Sequence, residues 1–405
     1  TQYYGLSLST DQLEYRVDGT SQRHIFYAGG AGNTQTELMR VQGNRRIGIN
    51  NASPTATLDV VGTFKLVDGT QANGRVLTSD ASGNASWQSV TANTWGLTGN
   101  AGTTPSLNFI GTTDTQTLNF RVNNQKSGMI DPTSLNTFFG YQAGLSNTSG
   151  VYNTANGAQA MFDNTTGSNN SAYGYLSLNN NTSGSFNSAY GANALFSNST
   201  GSYNVASGNG ALYLNTTGAY NGAFGYAALA ANTTGSLNTA AGGYALNANI
   251  TGQENTAVGY KSLLANTTGS FNTALGNNAL NTNSTASKNV AVGHSALFAN
   301  TLGEQNTALG FKALTANTTG SNNVALGSQA LQANTTGSNN IAIGDQALST
   351  NISGYANTAI GRNALNVNTT GIQNVALGNS ALSGVTTGSY NTAIGVNAGN
   401  SVATG

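Results

Sequence analysis

The chain lacks cysteine and carries little charge. Its 405 residues include no cysteine, three prolines and two histidines, and only 6% of them are charged. Without cysteine there is neither a disulfide framework nor a thiolate metal site. No run approaches the roughly 18 consecutive apolar residues that predict a membrane-spanning helix. Because the formal net charge is zero and no basic stripe occurs, nucleic acid is not an expected partner.

Residues suited to catalysis are also sparse. The two histidines, His24 and His294, lie far apart in the sequence, although a metal or catalytic site needs convergent side chains. The acidic residues beyond position 135 are Asp163, Glu254, Glu304 and Asp345. They form no recurring carboxylate pair of the kind that glycosidases use. We therefore predict a protein that is not an enzyme and that has no metal ion and no cofactor.

What the chain has in abundance is a regular repeat. From Gly140 to Gly395 a glycine recurs every 17 residues, sixteen times, and an asparagine stands four places before each one. An unbroken register favours a stack of identical coils, since each coil buries its apolar side against the next. Eighteen of the 26 Asp, Glu, Lys and Arg residues lie before position 136. We therefore divide the chain into a β-rich N-terminal region, 1–135 (possibly 1–92 and 93–135), and a sixteen-fold repeat, 136–405.

One unit of the repeat, 323–339, shows the pattern. Its defining positions are Asn323, Ala325, Gly327, Leu331 and Gly337. The first five residues predict a strand with the alanine on one face and its two neighbours on the other. The asparagines are expected to form amide ladders along the stack. The Asn-Thr-Thr-Gly segment predicts a turn in which Gly337 accepts a positive φ. The segment from Gly327 to Asn334 fits either a second short strand or one helical turn. Overall, we predict an all-β parallel solenoid or β-roll.

The N-terminal region shows the period-2 alternation of half-buried strands. This alternation occurs at 13–18 and 118–123, and strand-like segments occupy 46–49, 57–61 and 63–67. Gly and Asn residues between them supply turns. A small all-β module or shaft is therefore expected before the repeat.

The residue before the main glycine is usually Leu, Ile or Val, which predicts an apolar stripe along the rod. Examples are Leu309, Leu326, Ile343, Ile360, Leu377 and Ile394. Such a stripe marks an interface. Association of three chains around the stripe would bury it and cover exposed edges. We infer a homotrimer, although the sequence does not separate three chains from two.

Aromatic residues concentrate in two columns, which are the position after the main glycine and the position before the recurring asparagine. The rings singled out as surface or glycan contacts are Tyr152, Tyr203, Tyr220, Tyr260 and Tyr390. The alternative is packing of ring on ring along the stack. The Asn-Thr-Thr segments match the N-glycosylation acceptor pattern, but one turn per coil explains them as well. Adjacent threonines also suggest ice binding by flat ladders of threonine side chains. Such ladders need the pattern Thr-x-Thr, however, because the side chains of two adjacent threonines point to opposite faces of a strand.

The Asn-Thr-Ala-Ile-Gly unit at 357–361 and the Asn-Val-Ala-Leu-Gly unit at 323–327 resemble the head repeats of trimeric autotransporter adhesins. Those repeats form parallel β-rolls with three chains to a head, and their spacing is shorter than 17. With the segment 46–60 ahead of the repeat, the whole chain resembles tail-fibre-type proteins of bacteria and phages. The resemblance implies a trimeric fibre, and such proteins often end in a self-cleaving chaperone, whose removal or absence here is a hypothesis. Because the sequence opens at Thr1 without an initiator Met, we expect it to be a piece of a longer polypeptide.

These observations predict a non-enzymatic fibre for attachment or display, outside a cell or on a virion or injection device. Its expected partners are other copies of itself and a cell-surface receptor or polysaccharide, without insertion into a membrane. The competing function is a purely structural self-assembling filament, and ice binding is a minor alternative.

Overall fold

The computed structural model describes residues 5–9, 12–16, 19–29, 35–89, 99, 101, 103, 104 and 108–401, with the backbone alone described up to residue 16. Within these ranges the secondary structure consists of strands and turns without a helix, so none of them provides a membrane-spanning helix. The chain divides into two compact units, Thr1–Ile110 and Gly111–Gly405.

The first unit contains eight short strands in the described ranges. They are β1 (Gly5–Ser9), β2 (Gln12–Arg16), β3 (Arg23–Ala28), β4 (Thr36–Gln42), β5 (Ile47–Ile49), β6 (Leu58–Val60), β7 (Arg75–Ser79) and β8 (Ala85–Ser89). Strands β1 and β2 form an antiparallel hairpin, as do β7 and β8. Strands β3 to β6 form one sheet, in which only the β5–β6 pair is parallel.

The strand predicted at 63–67 is wrong, since this segment has no regular secondary structure. Phe64 and Val67 are both 61% exposed, so its alternating apolar residues have no sheet face to cover. Instead, the backbone carbonyl of Leu66 accepts a hydrogen bond from the indole Nε1 of Trp87 at 2.9 Å. The predicted strands at 46–49, 57–61 and 118–123 are confirmed as β5, β6 and the strand described next.

The second unit begins with a hairpin of β9 (Leu118–Val122) and β10 (Gln125–Asp131). Its two-residue turn holds Asn123 and Asn124 at φ of 47° and 57°, the sign that tight hairpins require. Strand β10 pairs antiparallel with the first strand of the repeat, β11 (Asn136–Phe139). The hairpin therefore extends the sheet of the repeat at its N-terminal end.

From β11 onward the repeat is a parallel β-solenoid, as the spacing predicts. Each coil contributes one three-residue strand that pairs in parallel with the equivalent residues 17 positions later, as Ala325 pairs with Ala342. The strands are β12 (Thr154–Asn156), β13 (Ser171–Tyr173), β14 (Ser188–Tyr190), β15 (Val205–Ser207), β16 (Gly222–Phe224), β17 (Thr239–Ala241), β18 (Thr256–Val258), β19 (Thr273–Leu275), β20 (Val290–Val292), β21 (Thr307–Leu309), β22 (Val324–Leu326), β23 (Ile341–Ile343), β24 (Thr358–Ile360), β25 (Val375–Leu377) and β26 (Thr392–Ile394).

The interior of the solenoid is narrow and consists of small apolar columns and amides. In the unit 323–339 the side chains of Ala325, Ala330 and Leu331 are fully buried, and the same columns are buried along the stack. The alternation predicted for the strand is confirmed, because Ala325 points inward while Val324 and Leu326 are partly exposed. Burying each leucine contributes roughly 1.5–3 kcal/mol.

The segment after the main glycine is neither of the two alternatives considered. It is a series of turns in which Gln329 and Leu331 have φ of 57° and 51°, while Ala330 between them has no positive φ. Its backbone still hydrogen-bonds to adjacent coils, since the Leu331 N–H donates to the Ala347 carbonyl at 2.9 Å. A left-handed φ costs a non-glycine residue about 1–2 kcal/mol. The axial hydrogen bonds and the burial of the leucine offset that cost.

Two asparagine ladders run through the interior, as expected. The backbone N–H of Asn323 donates to Oδ1 of Asn306 at 3.0 Å. In the second ladder, Nδ2 of Asn334 donates to Oδ1 of Asn317 at 2.8 Å. Both Asn323 and Asn334 also donate from Nδ2 to the Gly337 carbonyl, each at 2.9 Å. The two ladders therefore converge on one buried carbonyl in each coil.

The role predicted for Gly337 is wrong in its physical reason. This glycine has no positive φ, and neither does Asn334. A Cβ at Gly337 would lie 2.9 Å from Nδ2 of Asn351 and even closer to the carbonyl of the next coil. Glycine is needed here because backbone and amide side chains approach closely. Gly327, in contrast, does have a positive φ, of 136°.

Candidate functional site

The coil geometry places variable side chains in straight columns on the outside of the solenoid. We name three columns by their place in the unit. The strand face comprises the two outward residues of each strand, as Val324 and Leu326. The corner column is the residue after the main glycine, as Ser328, and the edge column is the residue before the first asparagine, as Asn339. Side chains of one column stand one strand spacing apart, about 4.8 Å.

The strand face carries no charge, and its third position is aliphatic in every strand from β18 to β26, that is from Val258 to Ile394. No Asp, Glu, Lys or Arg occupies its positions from β12 to β26. Its leucines and isoleucines are half-exposed in this single chain, as Leu309 at 48% and Leu377 at 41%. Within this chain the strand is therefore covered on its inner side only. In the coils before Val258, the third strand position alternates in character and holds Asn156, Tyr173, Tyr190, Ser207, Phe224 and Ala241.

The edge column contains a continuous ladder of rings. Phe186 stacks on Tyr203 with centroids 4.9 Å apart, and Tyr203 stacks on Tyr220 at 4.8 Å, each pair within 3° of parallel. The faces of Tyr203 are thus occupied on both sides. Tyr203 and Tyr220 therefore pack ring on ring along the stack, which was the alternative to glycan contact. Both side chains remain about half-exposed.

The other three predicted contact rings differ from one another. Tyr152 and Tyr390 belong to the edge column, are 56% and 72% exposed, and make no ring pair among the described residues. Tyr260 belongs to the corner column and stands edge-on to Tyr244 at 6.3 Å. Tyr244 also stands edge-on to Tyr226 at 5.2 Å, and the hydrogen bond with Tyr226 raises the pKa of Tyr244. The predicted set is therefore spread over two columns and does not converge on one site.

The corner column holds aromatic residues that sequence analysis singled out only in part. Tyr141, Tyr175 and Tyr226 are 45%, 55% and 55% exposed. Their backbone carbonyls accept hydrogen bonds from the following coil, as that of Tyr175 does from the Asn193 N–H at 2.9 Å. The rings therefore project from a fixed backbone column. The signal that identifies them was present in the spacing, because these positions follow the main glycine directly.

The asparagines of the Asn-Thr-Thr segments are structural. The matching residues Asn164, Asn232, Asn266, Asn317, Asn334 and Asn368 are all fully buried. Since Nδ2 of Asn334 already donates to two carbonyl oxygens inside the coil, it is not accessible as a glycosylation acceptor in the folded chain. The turn explanation of this pattern is confirmed.

The two threonines of each pair differ in environment. Thr335 donates its hydroxyl to the Ile352 carbonyl of the next coil at 3.0 Å, whereas Thr336 is exposed. One exposed rank of hydroxyls therefore runs along the solenoid. An ice-binding surface would therefore consist of this single column of exposed hydroxyls.

A polar cavity of about 320 Å³ lies where the hairpin meets the first coil. Its lining includes Lys126, Asp131 and Asn147. The Lys126 Nζ donates to the Gly144 carbonyl at 2.7 Å and lies 4.7 Å from the centroid of the Phe138 ring. Burial lowers the pKa of Lys126, and the Ser134 hydroxyl lowers the pKa of Asp131. The amine therefore serves the capping of the first coil.

The histidines lie in different units, His24 in β3 and His294 in the corner column, where it stacks on Phe311 at 5.7 Å. Across the described part of the chain, no three His, Cys, Asp or Glu side chains converge as metal ligands would.

Comparison with protein families, with curated protein sequences and with solved structures finds no match to this chain.

Proposed function

We propose that this protein is a non-enzymatic extracellular fibre that serves attachment or display, as a homotrimer. The observation that carries the proposal is the charge-free strand face, whose third position is aliphatic in every coil from Val258 to Ile394. Monomeric soluble proteins seldom expose such continuous patches, and large ones mark interaction surfaces.

The size of the strand face fits self-association. The fourteen steps of about 4.8 Å from β12 to β26 give a strand face roughly 67 Å long. With a width of about 10 Å, each chain would contribute roughly 670 Å², somewhat below the ~800 Å² per partner of a standard interface. Because the column geometry is the same in every coil, a copy that fits one coil fits its neighbours in the same register. Side-by-side association of parallel copies therefore uses the whole stripe and leaves the corner and edge columns outside.

Attachment is the use that such a rod supports best. The variable side chains lie in exposed columns, whereas the buried columns are nearly constant, so the surface can change while the coil is kept. A position outside the cell, or on a virion or injection device, follows from this proposal. The resemblance to tail-fibre and adhesin repeats points the same way.

The proposal is tested by native mass spectrometry of the whole chain. We expect a species of three times 41.0 kDa. Replacing Leu309 and Leu377, four coils apart on the strand face, by glutamate places charges in the interface and should yield monomers. The matched control replaces Thr319 and Thr387 by glutamate as well. These two residues are also four coils apart, but they lie in the exposed column of threonines. The control should remain trimeric.

If the wild-type chain is monomeric at micromolar concentration, the trimeric fibre is refuted. End-on or lateral polymers on negative-stain grids, instead of discrete rods of uniform length, would favour the purely structural filament.

A further inference from the structure

The corner column of the first coils alternates large and small residues. Tyr141, Ala158, Tyr175 and Ala192 follow one another at successive coils. Like rings are therefore two coils apart, about 9.6 Å. Ala158 and Ala192 leave a gap on each side of Tyr175, and this ring is 55% exposed. Its neighbours in the column are therefore methyl groups and not rings.

The rings that pair with one another along the solenoid do not offer open faces in this way. In the edge column, Phe186, Tyr203 and Tyr220 occupy successive coils and stack face to face at 4.8–4.9 Å. In the later part of the corner column, Tyr244 stands edge-on between Tyr226 and Tyr260 and closes the gap above Gly243. The open faces around Tyr175 are thus a local property and do not follow from aromatic content alone.

The surroundings of this site are polar without being charged. Between residues 132 and 253 the sequence contains one charged side chain, Asp163. Beside the first gap, the amides of Gln142 and Gln159 hydrogen-bond to each other at 3.1 Å, from Nε2 to Oε1. Amides offer both donors and acceptors to a ligand. A phosphate-rich or carboxylate-rich ligand finds no counter-charge here, whereas a hydroxyl-rich neutral ligand finds ring faces and amides together.

We propose that the corner column around Tyr175 binds a neutral polysaccharide that lies along the solenoid axis. Sugar rings occupy the gaps above Ala158 and Ala192, and their C–H faces pack on the two faces of Tyr175 and on Tyr141. In an extended β-1,4-linked chain, equivalent sugars recur at every second residue, over a length close to two coils. The column period therefore presents the same contact to equivalent sugars. This inference rests on the proposed attachment function and names its ligand class.

Isothermal titration with cellohexaose and chitohexaose, using the full-length trimer, tests the proposal. We expect saturable binding to at least one of the two, which Tyr175→Ala weakens about tenfold or more. Tyr203→Ala is the matched control, since it removes an equally exposed tyrosine whose faces are already occupied. The control should bind like the wild type.

A variant with an added ring distinguishes binding in the gap from non-specific binding to exposed aromatic side chains. Ala158→Tyr adds a ring next to Tyr141 and Tyr175, and the edge column shows that rings at successive coils stack without disturbing the fold. We expect this variant to lose binding as Tyr175→Ala does, because the gap is filled. Equal or tighter binding by Ala158→Tyr would overturn the inference.

Failure of this inference is distinguishable from failure of the attachment function. If neither oligosaccharide binds while the chain forms discrete trimeric rods that adhere to cells, the polysaccharide site is refuted and the fibre stands. If adhesion is lost on mutation of Tyr175 but a protease-sensitive surface component is the target, the occupant is a protein and the inference is equally refuted.

Discussion

In the first coil a large side chain occupies the alanine position and a glycine occupies the leucine position. This pair of substitutions gives the sharpest test of the interior packing. Phe138 is fully buried at the position where later coils have alanine, and Gly144 stands where they have leucine or methionine. A Cβ at Gly144 would lie 2.7 Å from Cζ of Phe138, so the ring fills the space that Leu331 fills in its own coil. The backbone is the same at both positions, with φ of 55° at Gly144 and 51° at Leu331. The pair Phe138 and Gly144 is therefore a compensating swap.

The magnitudes follow from this geometry. Phe138→Ala alone leaves a cavity and should cost about 3–5 kcal/mol. Gly144→Leu alone overpacks the coil, at about 1–3 kcal/mol, and adds about 1 kcal/mol for a left-handed leucine. The double variant recreates the common coil, in which a left-handed leucine is normal. It should cost only about 1 kcal/mol, so the two changes couple by roughly 3 kcal/mol or more.

The assay must be local, because long repeats do not unfold as one unit. Hydrogen–deuterium exchange of peptides covering residues 118–160 reports the opening free energy of the first coils. As a control, Leu331→Ala in an interior coil should create a cavity that no change near Phe138 rescues. If the effects of the two single changes simply add in the double variant, the packing argument for the first coil is refuted.

Three further predictions concern the ladders, the backbone and the cap. Asn317→Val removes the donor to Asn300 and the acceptor of Asn334. It should lower the local opening free energy of these coils, measured by hydrogen exchange, by about 2–4 kcal/mol. Unchanged protection would show that the ladder is not stabilising. Gly327→Ala places a Cβ 2.6 Å from the Gly344 carbonyl at φ of 136°, and should cost roughly 2–5 kcal/mol in the same measurement. Burial lowers the pKa of Lys126 below its ordinary 10.5, so the unfolded chain binds more protons than the folded one just below that pH. Protection of the first coil should therefore rise with pH through this alkaline window, and the rise should vanish in Lys126→Met.

Sequence periodicity predicted the solenoid, its inner columns and its amide ladders, because each is a one-dimensional property of a 17-residue period. The inward direction of Ala325 followed from strand alternation alone. The course of the chain between Gly327 and Asn334 did not follow, since it depends on left-handed residues such as Leu331 that no propensity favours. Only hydrogen bonds to adjacent coils make that conformation stable.

Close approach was equally hidden from the sequence. The glycine of Asn-Thr-Thr-Gly looks like a positive-φ turn residue, yet at Gly337 the neighbouring amides and carbonyl exclude a side chain. The natural exception, Ala286, is buried at the same position and still accepts hydrogen bonds from Asn272 and Asn283. One coil therefore accommodates a Cβ at this position, where the backbone has no positive φ.

The candidate surface was predictable in composition but not in arrangement. The sequence already identified the tyrosines of both columns. It did not predict which rings face each other, because that depends on the spacing between successive coils. Tyr203 has both faces occupied because its column neighbours are aromatic, whereas the column neighbours of Tyr175 are alanines. The comparison requires the register of the solenoid, which the structure supplies.

The stacking of coils itself can be measured directly by spin-label distances, because the chain has no cysteine to interfere. Asn209, Asn277 and Asn379 are exposed residues of the corner column, separated by four and six coils. Cysteine substitutions labelled in pairs should give distances of about 19 Å, 29 Å and 48 Å by double electron–electron resonance, with the shorter two adding to the longest. Distances that do not add, or a longest distance well below 40 Å, would contradict a straight stack of 17-residue coils.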